Sequence, residues 1–436
     1  MPTIGLDIGT TSVCAVVATA RTLLFSRTVP NNSHIHTPRP FETAQDPAQI
    51  LTICTRLIDE CLQKVPGVAG IGITGQMHGI LYLNADGQAV SPLYTWQDES
   101  GNQLTADGET TYARELSRKT NYTVASGFGC ATLYAHSKTG LIPENAVRVC
   151  TIMDYVAMRL AGLRHPTMHT SNAASFGLFN LKRLQFDMEQ IEKAGLPTAF
   201  FPAVITNFDP IGSLRGIPVI VAIGDNQASF LGAASDCSDA VLVNIGTGSQ
   251  ISWATEYVPP ENMPADMELR PLVGERYLCV GSALCGGRAY AQLMRFFGDC
   301  AQFLFGETPD SDDIYTAMAQ LISEPAPIGG NAMLFDTRLA GTRADPTLRG
   351  SIRNVGLDNF TPTHLTYAVM EGMARELYDF CAQANIELRH LIGAGNALRK
   401  NPALCDAVSR IFGCVLRITP FAEEAAVGAA ATERVC

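Results

Sequence analysis

The stretch Gly5-Leu6-Asp7-Ile8-Gly9-Thr10-Thr11-Ser12 decides how this chain is read. Alternating apolar and β-branched residues from Ile4 to Val17 predict two strands joined at Asp7-Ile8-Gly9-Thr10-Thr11. Glycine lets a backbone approach phosphate oxygens, and the hydroxyls of Thr10, Thr11 and Ser12, with their N–H groups, can grip them. Asp7, at the strand end, suits a hydrated magnesium ion. The same residues also suit a plain hairpin turn whose Asp and Thr side chains bond their own backbone. Much later, Val241-Leu242-Val243-Asn244-Ile245-Gly246-Thr247-Gly248-Ser249 repeats the pattern. Two strand–glycine–hydroxyl turns predict a duplicated architecture with a ligand cleft between the halves.

Outward from the first turn, Asp46 is a good N-cap and Pro47 fits the first helical position. Ile50, Leu51, Cys54, Leu57, Ile58, Cys61 and Leu62 then recur at helical spacing, and Pro66-Gly67 ends the helix. Val68–Ile73 reads as a buried strand leading into Gln76-Met77-His78-Gly79, so strand, helix and strand form an α/β layer. Ile217–Ile223 is a strand without charges, Gly224-Asp225-Asn226-Gln227 is its turn, and a helix is expected from Ala228. Further on, a helix follows Gly286-Gly287-Arg288 to about Phe297 and a long one spans Thr363 to about Asn385. Leu391–Asn396 is a strand and glycine turn, Asn401-Pro402 caps another helix that Gly413 closes, and Pro259–Asp266 is an exposed loop.

Asp225 stands at the C-terminal end of an uncharged strand, where α/β proteins bind ligands. A carboxylate there can take the proton from an attacking hydroxyl, or it can merely cap the next helix. His78 can bond a sugar hydroxyl with Met77 against the carbon face, or be a satisfied core histidine. Trp96-Gln97-Asp98 sets an aromatic plane beside polar groups, as sugars need, although Trp96 can equally anchor a core. Gly286-Gly287 and Gly393-Ala394-Gly395-Asn396 are glycine turns that allow adenine or phosphate close to the backbone.

The 436 residues exceed what one core usually serves, so two domains are expected. With 47% hydrophobic and 17% charged residues the chain is globular, not disordered. A formal charge of -11 repels nucleic acid and anionic lipid, so neither is an expected partner. The 13 cysteines show no C-x-x-C pair, so neither zinc nor thioredoxin-type chemistry is indicated, and reduced thiols such as Cys54 and Cys61 suit a cytoplasmic location. Met1 runs straight into a strand pattern without a basic leader, and no apolar run nears the roughly 18 residues of a membrane span.

Taken in order, the DxGTTS start, GQMHG turn, WQD segment, GDxQA turn, NIGTGS loop, GAGxALxxN segment and final EEAAVGAA helix resemble the FGGY family of carbohydrate kinases, from Gly5 to Ala431. Thr95–Asp98, Ser126–Thr132, Asp154–Val156, Asn172–Ser175, Phe179-Asn180 and Gly224–Ser229 are most similar to the sedoheptulokinase branch, while xylulokinases are similar at Gln76–Gly79 but less so near Phe128 and Asn172. The resemblance implies two actin-like, ribonuclease-H-like α/β domains, about 1–235 for sugar and 236–436 for nucleotide, with an interdomain catalytic cleft. It implies ATP and Mg²⁺, with Asp225 as base and Asp7 and Asp225 near the metal. Gln76, Met77, His78, Trp96, Gln97, Asp98, Asp154 and Asn172 would meet the sugar. Thr10, Thr11, Ser12, Gly246, Thr247, Gly286, Gly287, Gly395 and Asn396 would meet the nucleotide. The implied reaction is phosphorylation of a ketose's terminal primary hydroxyl, sedoheptulose first and xylulose or another ketose second, by a monomer or homodimer. A non-catalytic sugar-binding protein and an actin-like ATPase remain alternatives. Two departures stand out: Cys14 where the family often has Lys or Arg, and Glu99-Ser100 where it usually has Gly-Arg.

Overall fold

The computed structural model describes residues 1–20, 22–234, 239–246, 248–322 and 332–431. The chain forms two compact units. One comprises Met1–Ser235, Arg270–Tyr277 and Glu423–Cys436, the other Asp236–Leu269 and Leu278–Ala422, so a single cut in the sequence does not separate them.

The first unit is built on a seven-stranded sheet. Its order is Pro210–Leu214, Ile217–Ile220, Ile71–Gly75, Thr3–Ile8, Ser12–Ala18 and Leu23–Pro30, with Ile223–Gly224 also paired to Ile71–Gly75. Thr3–Ile8 is antiparallel to Ser12–Ala18 and parallel to Ile71–Gly75. The expected hairpin is therefore present. The strand expected at Val68–Ile73 lies later, at Ile71–Gly75, because the ladder with the first strand runs on to Ile8 opposite Gly75. The expected continuous strand Ile217–Ile223 breaks after Ile220 and resumes at Ile223, and its helix starts at Asp225, three residues before Ala228.

Helix Pro47–Lys64 forms as its sequence dictates. The Asp46 carboxylate accepts from the N–H groups of Ala48 and Gln49, and Pro47 opens the first turn. It buries Ile50, Ile53, Cys54, Leu57, Ile58 and Cys61, while Leu51 and Leu62 are half-buried. Burial of each large aliphatic chain is worth roughly 1.5–3 kcal/mol. Against the same sheet, helices Asp225–Ala233 and Glu424–Ala430 cross at glycines. A Cβ on Gly232 would sit 2.0 Å from the Glu424 carbonyl oxygen, and one on Gly428 1.7 Å from that of Ala228. Any side chain there would force the helices apart.

The second unit repeats the plan in a six-stranded sheet. The order is Met267–Pro271, Tyr277–Ala283, Ser249–Thr255, Ala240–Ile245, His390–Ala394 and Leu416–Ile418. Ala240–Ile245 is again antiparallel to the next strand and parallel to a later one, His390–Ala394. The duplication expected from the two glycine turns thus extends to strand order. Helix Gly287–Phe305 is longer than the expected end at Phe297, and the long helix spans Pro362–Gln383. Asn401 caps Pro402–Phe412 through the Leu404 N–H, and Gly413 ends that helix at φ 62°. No helix among the described residues is long and apolar enough to cross a membrane, and the described cysteines are free.

Candidate functional site

In the first unit the expected residues fall into two groups, those at the sheet's end and those buried beneath it. Asp225 is half-buried in the first turn of its helix. Gly224 is the N-cap and contributes no side chain, so Asp225 is not the helix cap and that reading of it falls away. Burial raises the Asp225 carboxyl above its ordinary value, while the positive charge of Arg270 and the Asn226 N–H oppose the rise. Asp7, also half-buried, is pushed up to about 7, first by burial and then by the negative charge of Asp225. The two carboxylates therefore act on each other electrostatically.

Met77 packs over Gly224, where a Cβ would meet its Cε at 2.7 Å. His78 has a left-handed backbone, φ 63°, and its ring stacks on Phe128 with centroids 4.4 Å apart. Its Nδ1 lies 2.6 Å from the Ser175 carbonyl oxygen. That oxygen can only accept, so Nδ1 carries the proton. Trp96 leaves 47% of its surface exposed and donates its indole N–H to the Thr10 hydroxyl at 3.0 Å. Trp96 and Gln97 are thus exposed, whereas Asp98 is fully buried and accepts from the Ser100 N–H and the Thr132 hydroxyl.

Three further sugar candidates are inside the protein. Gln76, 6% exposed, accepts from the Thr10 hydroxyl and donates to Gln45, which donates in turn to the Thr10 carbonyl. Its amide braces the turn and does not face solvent. Asp154 and Asn172 have no exposed surface; Asn172 donates to Asp154 and to the Ala222 carbonyl. Burial pushes the Asp154 carboxyl up to about 7, with bonds from Thr151 and Asn172 opposing. Asp98, Asp154 and Asn172 therefore lie inside the fold instead of lining a surface, although the Asp98 Oδ2 and Asn172 Oδ1 atoms are buried without a hydrogen-bond partner among the described residues. Thr10's hydroxyl is likewise committed to Gln76 and Trp96, which leaves its N–H for an anion. Thr11 is exposed and Ser12 half-buried.

Sequence reasoning missed several residues here. Asn31 donates to the Gly9 carbonyl at 2.8 Å, Arg270 faces Asp225 with its charge, and Ser171 accepts from the Gly224 N–H at 3.0 Å. Each lies far along the chain from its partner, and no local pattern announces it.

In the second unit, five expected residues converge on the end of strand Ala240–Ile245. The Gly246 N–H donates to Gly248, and the Gly246 carbonyl accepts from the Gly287 N–H at 3.0 Å. Gly286, at φ 45°, presses on Gly248: a Cβ would lie 2.3 Å from its carbonyl carbon. Gly395, at φ 91°, presses on Ile245 and Asn244, and exposed Asn396 starts the next helix. Thr247 lies outside the described residues. Backbone brought this close to a strand end can admit a flat or anionic ligand.

Comparison with known proteins agrees with this plan. Residues 3–232 match the FGGY family of carbohydrate kinases, N-terminal domain, and residues 243–433 match its C-terminal domain. The chain is similar to the sedoheptulokinases of Mus musculus, 28% identical over 94% of this chain and 92% of that one, and Homo sapiens, 27% over 98% and 96%. It is also similar to the xylulose kinase of Bacillus subtilis, 23% over 86% and 76%. The crystal structure of xylulose kinase from Rhodospirillum rubrum shares the fold, with a TM-score of 0.79, 21% identity and coverage of 99% of this chain and 90% of that one. Two family domains, matched in order along nearly the whole chain and folded as two actin-like α/β units, make this protein a member of the FGGY family and a carbohydrate kinase.

Proposed function

We propose that this kinase transfers the γ-phosphoryl group of Mg-ATP to the terminal primary hydroxyl of a ketose, with sedoheptulose giving sedoheptulose 7-phosphate. The observation that carries the ketose is similarity to two sedoheptulokinases over more than nine-tenths of both chains. Asp225 accepts the hydroxyl proton as that oxygen attacks phosphorus, and the bond from phosphorus to the ADP oxygen breaks. Positioning of the two reactants supplies roughly 7–11 kcal/mol of the barrier reduction, and the base a further factor of about 10²–10⁴. Met77, His78, Trp96 and Gln97 are the sugar contacts in this reading. The N–H groups at Thr10–Ser12 meet the nucleotide in this reading, as do the close-approaching glycine backbone at Gly246, Gly286, Gly287 and Gly395 and the side chain of Asn396.

Magnesium fits the residues present. Asp7 and Asp225 are two partly buried carboxylates whose mutual repulsion a divalent cation would relieve. Among the described residues no group of three His, Cys, Asp or Glu could hold a metal, so water and phosphate oxygens would complete the coordination. Bound there, the ion would offset charge on the phosphates.

A coupled ADP-release assay with Mg-ATP tests the reading across sedoheptulose, xylulose, ribulose, fructose and glycerol. The highest kcat/KM is expected with sedoheptulose. A maximum with xylulose moves the substrate to a five-carbon ketose, and turnover of glycerol alone overturns the ketose assignment.

A further inference from the structure

The three backbone groups just before Asp225 are each held by a buried side chain from elsewhere in the first unit. Asn172 donates its amide to the Ala222 carbonyl at 3.0 Å. Thr74 donates its hydroxyl to the Ile223 carbonyl at 2.9 Å, across 149 positions of sequence. The Gly224 N–H donates to the Ser171 hydroxyl at 3.0 Å. Thr74, Ser171 and Asn172 are all at most 1% exposed.

His169 fixes the direction of the last of these bonds. Its Nε2 lies 3.0 Å from the Thr206 carbonyl oxygen, which can only accept, so Nε2 carries the proton. Nδ1 is then an acceptor, and the Ser171 hydroxyl, 2.8 Å away, donates to it. With its hydrogen so committed, Ser171 presents a lone pair to the Gly224 N–H. The ring is fully buried, and burial holds its pKa down at about 4, so it stays neutral and the directions do not reverse at ordinary pH. The chain Thr206–His169–Ser171–Gly224 therefore has one consistent set of donors. It ends one residue from the carboxylate assigned as base.

We infer that Ser171, oriented by His169, and Thr74 are positioning residues for catalysis: they fix the backbone at Ile223-Gly224 and thereby aim Asp225. The inference rests on Asp225 being the base. A strand that breaks after Ile220 and restarts for two residues has few ladder bonds of its own to hold that aim. Small misplacement of a catalytic group costs up to about 100-fold in rate. The pins thus matter for kcat beyond what they add to stability.

The test measures ketose-dependent ADP release for Ser171→Ala, Thr74→Val and Thr74→Ser, each alone and in an Asp225→Asn background. Ser171→Ala and Thr74→Val are expected to lower kcat about 10-fold, within the range of such misplacements, while KM for ATP and ketose stays nearly constant. Thr74→Ser keeps the hydroxyl and should keep kcat. Combined with Asp225→Asn, neither Ser171→Ala nor Thr74→Val should reduce kcat further, because a residue that acts only through Asp225 has nothing left to aim. Unchanged kcat in both single variants, equal loss in Thr74→Ser and Thr74→Val, or full additivity with Asp225→Asn overturns the inference. Failure of the base assignment is read separately, as near-normal kcat in Asp225→Asn alone. Should Ser171→Ala not fold, the isosteric Thr74→Val and the hydroxyl-retaining Thr74→Ser decide the question by the same criteria.

Discussion

The two glycine turns occupy the same place in their sheets, and among the described residues they differ in how much side chains hold them. Gly9-Thr10 is braced by side chains: Asn31 on the Gly9 carbonyl, Gln45 on the Thr10 carbonyl, and Gln76 and Trp96 on the Thr10 hydroxyl. Among the described residues, Gly246 and Gly248 are braced by main chain: the Gly287 N–H bonds the Gly246 carbonyl, and Gly286 lies against Gly248. A turn wired by side chains can lose one support and keep the others. A turn wedged by a glycine has no spare, since a single methyl group fills the space the contact needs.

The sharpest break is therefore expected in the second unit. Gly286→Ala puts a Cβ 2.3 Å from the Gly248 carbonyl carbon, at a φ of 45° and ψ of -129° that side chains rarely adopt. ATP affinity, read by the ligand-induced rise in melting temperature, should fall at least about 100-fold, as misplaced binding groups do. The counterpart in the first unit is Asn31→Ala. It leaves the Gly9 carbonyl and the Ser33 hydroxyl without their partner, a loss of about 1–3 kcal/mol. Three other side chains still hold that turn, so kcat/KM should drop about 10-fold, the part of that loss expressed in the turn's position. Equal effects of the two substitutions would erase the distinction between the turns.

This contrast also explains what could be read from the sequence. Both turns, and the places of Asp7 and Asp225 beside strand ends, were legible, because glycine, hydroxyl and carboxylate at a strand end are local patterns. So was helix Pro47–Lys64, where cap, proline and stripe agree. The braces were not. Thr74 and Ile223 are 149 positions apart, Gln76 and Thr10 66 apart, and residue type does not say which polar group a fold will bury. That is why Asp154 and Asn172 read as pocket residues and proved to be an internal pair. Asp98 misled for the same reason: its neighbours Trp96 and Gln97 are exposed, and alternation around a turn does not predict which of three consecutive residues turns inward.

A smaller effect separates the turns by charge. The first carries Asp7, whose carboxyl in the folded chain is pushed up to about 7 from an ordinary 3.8. Between those values the folded form binds a proton more tightly than the unfolded one, so stability falls as pH rises through that window. Asp7→Asn removes the penalty. Without nucleotide or metal, its melting temperature should exceed that of the parent by several degrees at pH 8, and the difference should vanish near pH 4. Its kcat should fall at the same time. A melting difference that stays constant with pH would show that Asp7 stores no such penalty.

A last comparison concerns the cation absent from position 14, where substitution alone should change least. Cys14 faces Asp7 across one strand and Thr28 across the other, 6% exposed, with its thiol pushed up to about 11 by burial and, less strongly, by the charges of Glu423 and Asp7. The nearby negative charges would attract a cation, but burial, the largest of these effects, would oppose it, and the chain carries none. Arg270, by contrast, already brings positive charge to Asp225. If Arg270 supplies what position 14 lacks, Arg270→Gln should lower kcat about 10-fold or more, as loss of a charge-stabilising group does. Cys14→Lys alone should change kcat little, and in the Arg270→Gln background it should restore part of the loss. A large gain from Cys14→Lys in the otherwise unaltered protein would mean instead that the transferring phosphoryl group lacks a cation, and that Arg270 serves only to hold the base.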